Sequence, residues 1–77
     1  MKTQYVLITP AYNEERFVDG LIQSVIAQTI LPQKWLIVDD GSRDATYDII
    51  KRYQAQHSFL SCLRLNRDKV VSYYGRI

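Results

Sequence analysis

The sequence predicts an α/β chain, a three-layer α/β/α arrangement on a parallel sheet, and three observations carry that prediction. Short runs of strand-forming residues recur three times along 77 residues. Segments of helical periodicity separate them. The first two runs also end in polar, turn-forming clusters, and parallel sheets place their ligands at such carboxyl ends.

Taken in order, Tyr5-Val-Leu-Ile8 is a continuous apolar run closed by Pro10. It predicts a strand at about residues 4–9, and its unbroken apolar character reads as burial on both faces. Pro10-Ala-Tyr-Asn13 is the loop at its carboxyl end. Phe17, Val18, Leu21, Ile22, Val25 and Ile26 then form one apolar stripe, predicting a helix over about residues 14–28. Asn13 reads as its N-cap, and Glu14 and Glu15 place negative charge where the helix dipole favours it. Gly20 weakens that helix by up to ~1 kcal/mol relative to alanine.

Residues 34–39 predict the second strand. Residues 41–44 form a turn, with Ser42 or Asp44 capping a second helix at about residues 45–56, whose Ile49, Ile50 and Tyr53 face inward. Residues 59–65 predict a third strand, placed at a sheet edge by its broken alternation. A turn at 66–68 and the start of another helix over 69–77 complete the chain.

Two right-handed crossovers lay the strands side by side in the order 3-2-1. The first strand is then an edge strand, although its sequence reads as a central one. Residues 1–77 are therefore expected to be the N-terminal fragment of a larger sheet domain, and the open edge is expected to promote self-association.

Composition narrows the classes. A hydrophobic content of 47% with 23% charged residues belongs to a folded chain. A chain this small buries only about 60–65% of its unfolded surface, so its core is marginal. Cys62 is the only cysteine, which excludes an internal disulfide and a clustered zinc site. The net charge of +2 is spread over scattered basic residues, arguing against a nucleic-acid partner. No apolar run approaches the ~20 residues of a membrane span, so the expected compartment is the cytoplasm.

If the first two strands are neighbours, the loop after each converges on one crevice. That crevice holds an aromatic face (Tyr12), two adjacent carboxylates (Asp39 and Asp40), a glycine permitting close backbone approach (Gly41) and donors near a helix start (Ser42). A heterocycle can stack on Tyr12 while a carboxylate accepts its ring N–H, or a sugar diol can donate to that carboxylate. The set suits a nucleoside better than a bare phosphate, which favours glycine-rich amides without nearby acids. Neither Gly-x-Gly-x-x-Gly nor a P-loop pattern occurs.

Ile8-Thr-Pro-Ala-Tyr-Asn-Glu14, Ser24-Val-Ile-Ala-Gln-Thr29 and Ile37-Val-Asp-Asp-Gly-Ser-Arg-Asp-Ala-Thr46 stand in an order and spacing that resembles the N-terminal part of family-two inverting glycosyltransferases. The resemblance covers residues 3 to about 66 well and the tail poorly. It implies a Rossmann-like GT-A fold that takes a nucleotide-diphosphate sugar and passes the sugar, with inversion, to a saccharide, lipid-linked or protein acceptor. Such an enzyme can work at the cytosolic face of a membrane.

By the same resemblance, the nucleotide-binding set is Pro10, Ala11, Tyr12, Glu14, Asp39, Asp40, Gly41 and Ser42. Pro10 and Tyr12 line the base site, Glu14 lies near the nucleoside, Asp40 accepts from the base, and Asp39 orients the turn. The complete enzyme is expected to use Mg or Mn. The family's metal-binding Asp-x-Asp is absent here, so neither a metal ligand nor a catalytic residue is assigned. The alternative is a truncated or vestigial nucleotide-binding module without activity. Leu36-Ile-Val-Asp-Asp40 also resembles the acidic pocket of receiver domains, but those place the pair after the first strand. His57 reads as solvated and Cys62 as a small buried hydrophobe.

Overall fold

The computed structural model describes residues 4–65. The chain runs β1 (Val6–Ala11), α1 (Val18–Ile26), β2 (Lys34–Asp39), α2 (Thr46–Gln56) and β3 (Leu60–Arg64). The strands form one parallel sheet with β2 in the centre, which is the predicted order. The predicted turn at 66–68 and helix over 69–77 lie outside the described residues.

Strand alternation sorts the side chains onto two unlike faces. Leu7, Trp35 and Leu60 share one row of the inner face, and Thr9, Ile37 and Cys62 share the next. Both helices lie on this face. Val18, Ile22 and Val25 from α1 and Ile49 and Ile50 from α2 close a single core over Trp35, Ile37, Leu60 and Ala11. Trp35 is its largest wholly buried side chain, and its indole N–H donates to the Thr9 hydroxyl at 3.0 Å. Cys62 packs against the core at intermediate burial. Desolvation, then the nearby Asp39 charge, pushes its thiol pKa up, so it is a poor nucleophile.

The outer face corrects one expectation. β1 is not buried on both faces: Val6 and Ile8 are 59% and 64% exposed, and Leu63 on β3 is 47% exposed. Both helices cover the other face, so the unbroken apolar run has no cover on this side among the described residues. β1 also ends later than expected, including Pro10 and Ala11. The Tyr5 and Ala11 carbonyls accept from the Gln33 and Asp40 amides. Odd-numbered residues therefore turn their backbone groups toward β2, and Pro10, which has no N–H, faces the open edge, where proline is tolerated.

The first helix is shorter than its stripe. It starts at Val18 rather than near 14, and Phe17, in the capping position, makes no side-chain cap. Residues 14–17 form a separate turn in which the Phe17 and Val18 amides both donate to the Glu14 carbonyl. The Glu14 and Glu15 amides that open that turn are satisfied from the neighbouring loop, which takes over the work of a local cap. Phe17 and Leu21, expected inward, are exposed because the stripe is wider than the contact it makes. Past the helix end, the Tyr5 hydroxyl donates to the Ile30 carbonyl at 2.9 Å and ties the connection back to the first strand.

His57 also departs from expectation. It ends α2, its ring stacks 6.4 Å from Tyr53 and meets Phe59 edge-on at 5.9 Å, so it helps pack the turn into β3. No helix of the described residues is long and apolar enough to cross a membrane.

Candidate functional site

The site lies at the carboxyl ends of β1 and β2, where the register pairs Ala11 with Asp39. The Asp40 amide donates to the Ala11 carbonyl at 2.8 Å, so the two strands stay joined to the point where their loops diverge. Pro10 is exposed, Ala11 is buried under the crevice, and Tyr12 is 38% exposed at its mouth.

The two loops are then clasped. The Asn13 amide donates to the Ser42 hydroxyl at 2.9 Å, and the Arg43 amide donates back to the Asn13 side-chain oxygen at 2.9 Å. One turn further on, the Glu14 amide donates to the Thr46 hydroxyl at 2.8 Å and the Glu15 amide to the Asp44 carboxylate at 3.2 Å. Asn13 adopts φ 51° and Gly41 φ 75°. Asparagine is one of the few side chains that tolerates this left-handed region, and glycine enters it without a Cβ penalty. Both loops reverse sharply there, which brings Tyr12 and Asp40 to the same end of the sheet.

The predicted N-cap role of Asn13 is therefore replaced by a cross-loop role. Ser42 likewise holds Asn13 rather than capping α2. Asp44 closes a local turn, accepting from the amide and the hydroxyl of Thr46. Desolvation pushes the Asp44 carboxyl up, but the Thr46 hydroxyl, the Thr46 amide and the Glu15 amide outweigh it and hold its pKa below the usual value.

That shift has a sign. A depressed folded pKa contributes stability that is fully present above the unfolded value of about 3.9 and is lost as pH falls through the folded one. Asp44→Asn should therefore lower the urea midpoint at pH 7, and the gap from the parent should close as pH falls below about 4. A gap that stays constant down to pH 2 would show that the charge of Asp44 contributes nothing.

The two acids of the pair occupy unlike environments. Asp39 is fully buried. Its Oδ1 lies 3.4 Å from the Ser42 amide that donates to it, and its Oδ2 lies 3.5 Å from Arg64 Nε. Asp40, one residue on, is half-buried at the crevice. Alternation alone accounts for the difference, since Asp39 is the last inward residue of β2. The predicted set thus gathers at one end of the sheet, with Asp39 beneath the crevice and Asp40 beside it.

Four contributors, Asn13, Asp44, Thr46 and Arg64, were not singled out for this site by sequence reasoning. Thr46 and Asp44 could have been found, because Asp-x-Thr is a common local turn pattern. Arg64 could not, because its part depends on the register that sets it beside Asp39. A separate concavity lined by Asp19, Arg52, Tyr53 and Gln56 lies between the helices and shares no residue with the strand-end site. There the Tyr53 hydroxyl donates to Asp19, which raises its pKa, and accepts from Gln23 at 3.1 Å.

The chain is also similar to known proteins. The family model described as Glycosyl transferase family 2 matches residues 6–72. The UDP-N-acetylglucosamine--dolichyl-phosphate N-acetylglucosaminyltransferase of Methanococcus voltae is 42% identical over 48 residues, covering 62% of this chain and 18% of the relative. The dodecaprenyl-phosphate galacturonate synthase of Rhizobium johnstonii is 40% identical over 50 residues, 61% of this chain and 15% of its own length. The cholesterol galactosyltransferase of Borreliella burgdorferi is 28% identical over 68 residues, 79% of this chain and 19% of its own length. The chain thus spans less than a fifth of these relatives. No solved structure gives a significant match.

Proposed function

The chain belongs to glycosyl transferase family 2, and from that premise we propose that its strand-end crevice binds the nucleoside part of a nucleotide-diphosphate sugar. The observation that carries this reading is the clasp between the two loops, which brings an exposed aromatic ring and a crevice carboxylate to one end of the sheet. Tyr12 offers its face to the base. Asp40 accepts an N–H of the base, and Gly41 leaves room for the ligand to approach the backbone. Pro10 and Ala11 shape the wall beneath Tyr12, Glu14 stands near the nucleoside, and Asp39 with Ser42 supports the turn.

In a complete enzyme an acceptor oxygen attacks the anomeric carbon with inversion as the bond to the nucleoside diphosphate breaks and the diphosphate leaves; where that oxygen is a hydroxyl, a base outside these residues takes its proton. Two of the relatives carry lipid phosphates in their names, which supports a lipid-linked acceptor and work at a membrane surface. A divalent Mg or Mn would offset the diphosphate charge. Among the described residues no three His, Cys, Asp or Glu side chains gather to hold a metal, so that set does not fit a resident ion, and its ligands would come from elsewhere in a longer protein. On this reading the chain is the donor-binding segment of such an enzyme and has no transferase activity alone. Its open β1 edge and apolar outer face would favour self-association.

Calorimetric titration with uridine, guanosine and thymidine diphosphates, alongside inorganic diphosphate, tests the reading. At least one nucleotide should bind more tightly than inorganic diphosphate. Equal affinity for all of them would mean that the crevice reads phosphate rather than nucleoside.

A further inference from the structure

Arg64 ends β3 and is 50% exposed in its side chain, yet it touches three separate parts of the molecule. Its Nε lies 3.5 Å from the buried Asp39 Oδ2, and its Nη2 donates to the Ser42 carbonyl at 3.2 Å. Its guanidinium also sits 4.4 Å above the centre of the Tyr47 ring on α2. The parallel register makes this possible by placing Arg64 directly beside Asp39.

The Asp39 oxygen that faces Arg64 is buried and accepts no hydrogen bond from the protein, so the guanidinium charge is what compensates it. A buried carboxylate without such compensation is strongly unfavourable. Ser42 is held at every polar group. Its amide donates to Asp39, its hydroxyl accepts from Asn13, and its carbonyl accepts from Arg64. The turn that presents Asp40 is thus anchored by the strand before it, the loop opposite it and the arginine of β3.

We propose that Arg64 is a positioning residue of the nucleotide site: through Asp39 and Ser42 it fixes the turn that aims Asp40, without itself touching the base. The proposal deepens the nucleotide-binding reading and rests on it for its functional consequence, while the anchoring can be measured separately. Preorganisation is the physical reason for the effect, since a turn that must be ordered on binding subtracts from affinity. A planar fork with separated donors suits the task. A lysine can compensate Asp39 but cannot also hold the Ser42 carbonyl in the same geometry.

The test compares the parent chain with Arg64→Gln and Arg64→Lys, using backbone amide NMR spectra of residues 40–43 and calorimetric titration with uridine, guanosine and thymidine diphosphates. Arg64→Gln should displace the Gly41 and Ser42 amide resonances and weaken the best-bound nucleotide about tenfold. Arg64→Lys should recover thermal stability and part, not all, of that affinity. If Arg64→Gln does not fold, Arg64→Lys alone decides, because its retained charge keeps Asp39 compensated while the fork is gone. Parent-like amides and parent-like affinity in a folded variant would overturn the proposal. If the parent binds none of the nucleotides, the nucleotide reading fails by itself. The amide spectra then decide the anchoring: displaced Gly41 and Ser42 signals retain it, and unmoved signals reject it.

Discussion

Trp35→Ala should remove most of the stability of the folded chain. The indole is fully buried near the start of the central strand β2, in the core that both helices help to close and beside Leu7 and Leu60. Truncating a buried tryptophan costs ~3–5 kcal/mol through lost transfer energy and the cavity left behind. A domain of this size has roughly 4–12 kcal/mol of total stability at about 0.05–0.15 kcal/mol per residue. The variant should therefore unfold at a much lower urea concentration or be unfolded without denaturant. Trp35→Phe retains a ring but leaves the Thr9 hydroxyl without its donor, so its loss should be smaller. Far-UV circular dichroism is the suitable probe, because Trp35 is the only tryptophan. A midpoint for Trp35→Ala close to the parent would mean that the core does not depend on this residue.

Asp40→Ala should weaken nucleotide binding while leaving the fold in place. A hydrogen bond to a charged group contributes ~1.5–3 kcal/mol, which corresponds to a loss of roughly 10- to 100-fold in affinity. The Asp40 backbone amide joins β2 to β1, and the alanine variant retains that join. Asp39→Ala gives the contrast. It strips Arg64 and the Ser42 amide of their common partner, so it should reduce stability and affinity together. Thermal melts and calorimetric titrations of the two variants separate the cases. If Asp40→Ala binds the best nucleotide as tightly as the parent, Asp40 does not read the base. If Asp39→Ala loses affinity without losing stability, Asp39 is a ligand-contacting residue and the roles of the pair are reversed.

The two acids show where sequence reasoning stops. Their adjacency and their place after a strand are legible, and alternation assigns them opposite faces once the strand register is known. What compensates the inward one is not legible, because Arg64 lies 25 positions away and reads on its own as one more residue of a strand. Asn13 shows the same limit from the other side. Its position before an acidic, amphipathic segment is a sound N-cap signal. The opposite loop supplies better partners for the same amides, so the helix begins four residues later than that signal implies.

What the sequence by itself determined was the order and type of the elements, the parallel sheet with its strand order, and the pair of loops that meet at its carboxyl end. These follow from local periodicity, turn chemistry and the handedness of crossover connections, all of which act over short stretches of chain. The tertiary structure alone decided that β1 shows an apolar face to solvent, that Ser42 and Asn13 clasp the loops, and that Arg64 neutralises Asp39 beneath the crevice. Those outcomes depend on which residues from distant positions arrive side by side, and only the register of the folded sheet determines that.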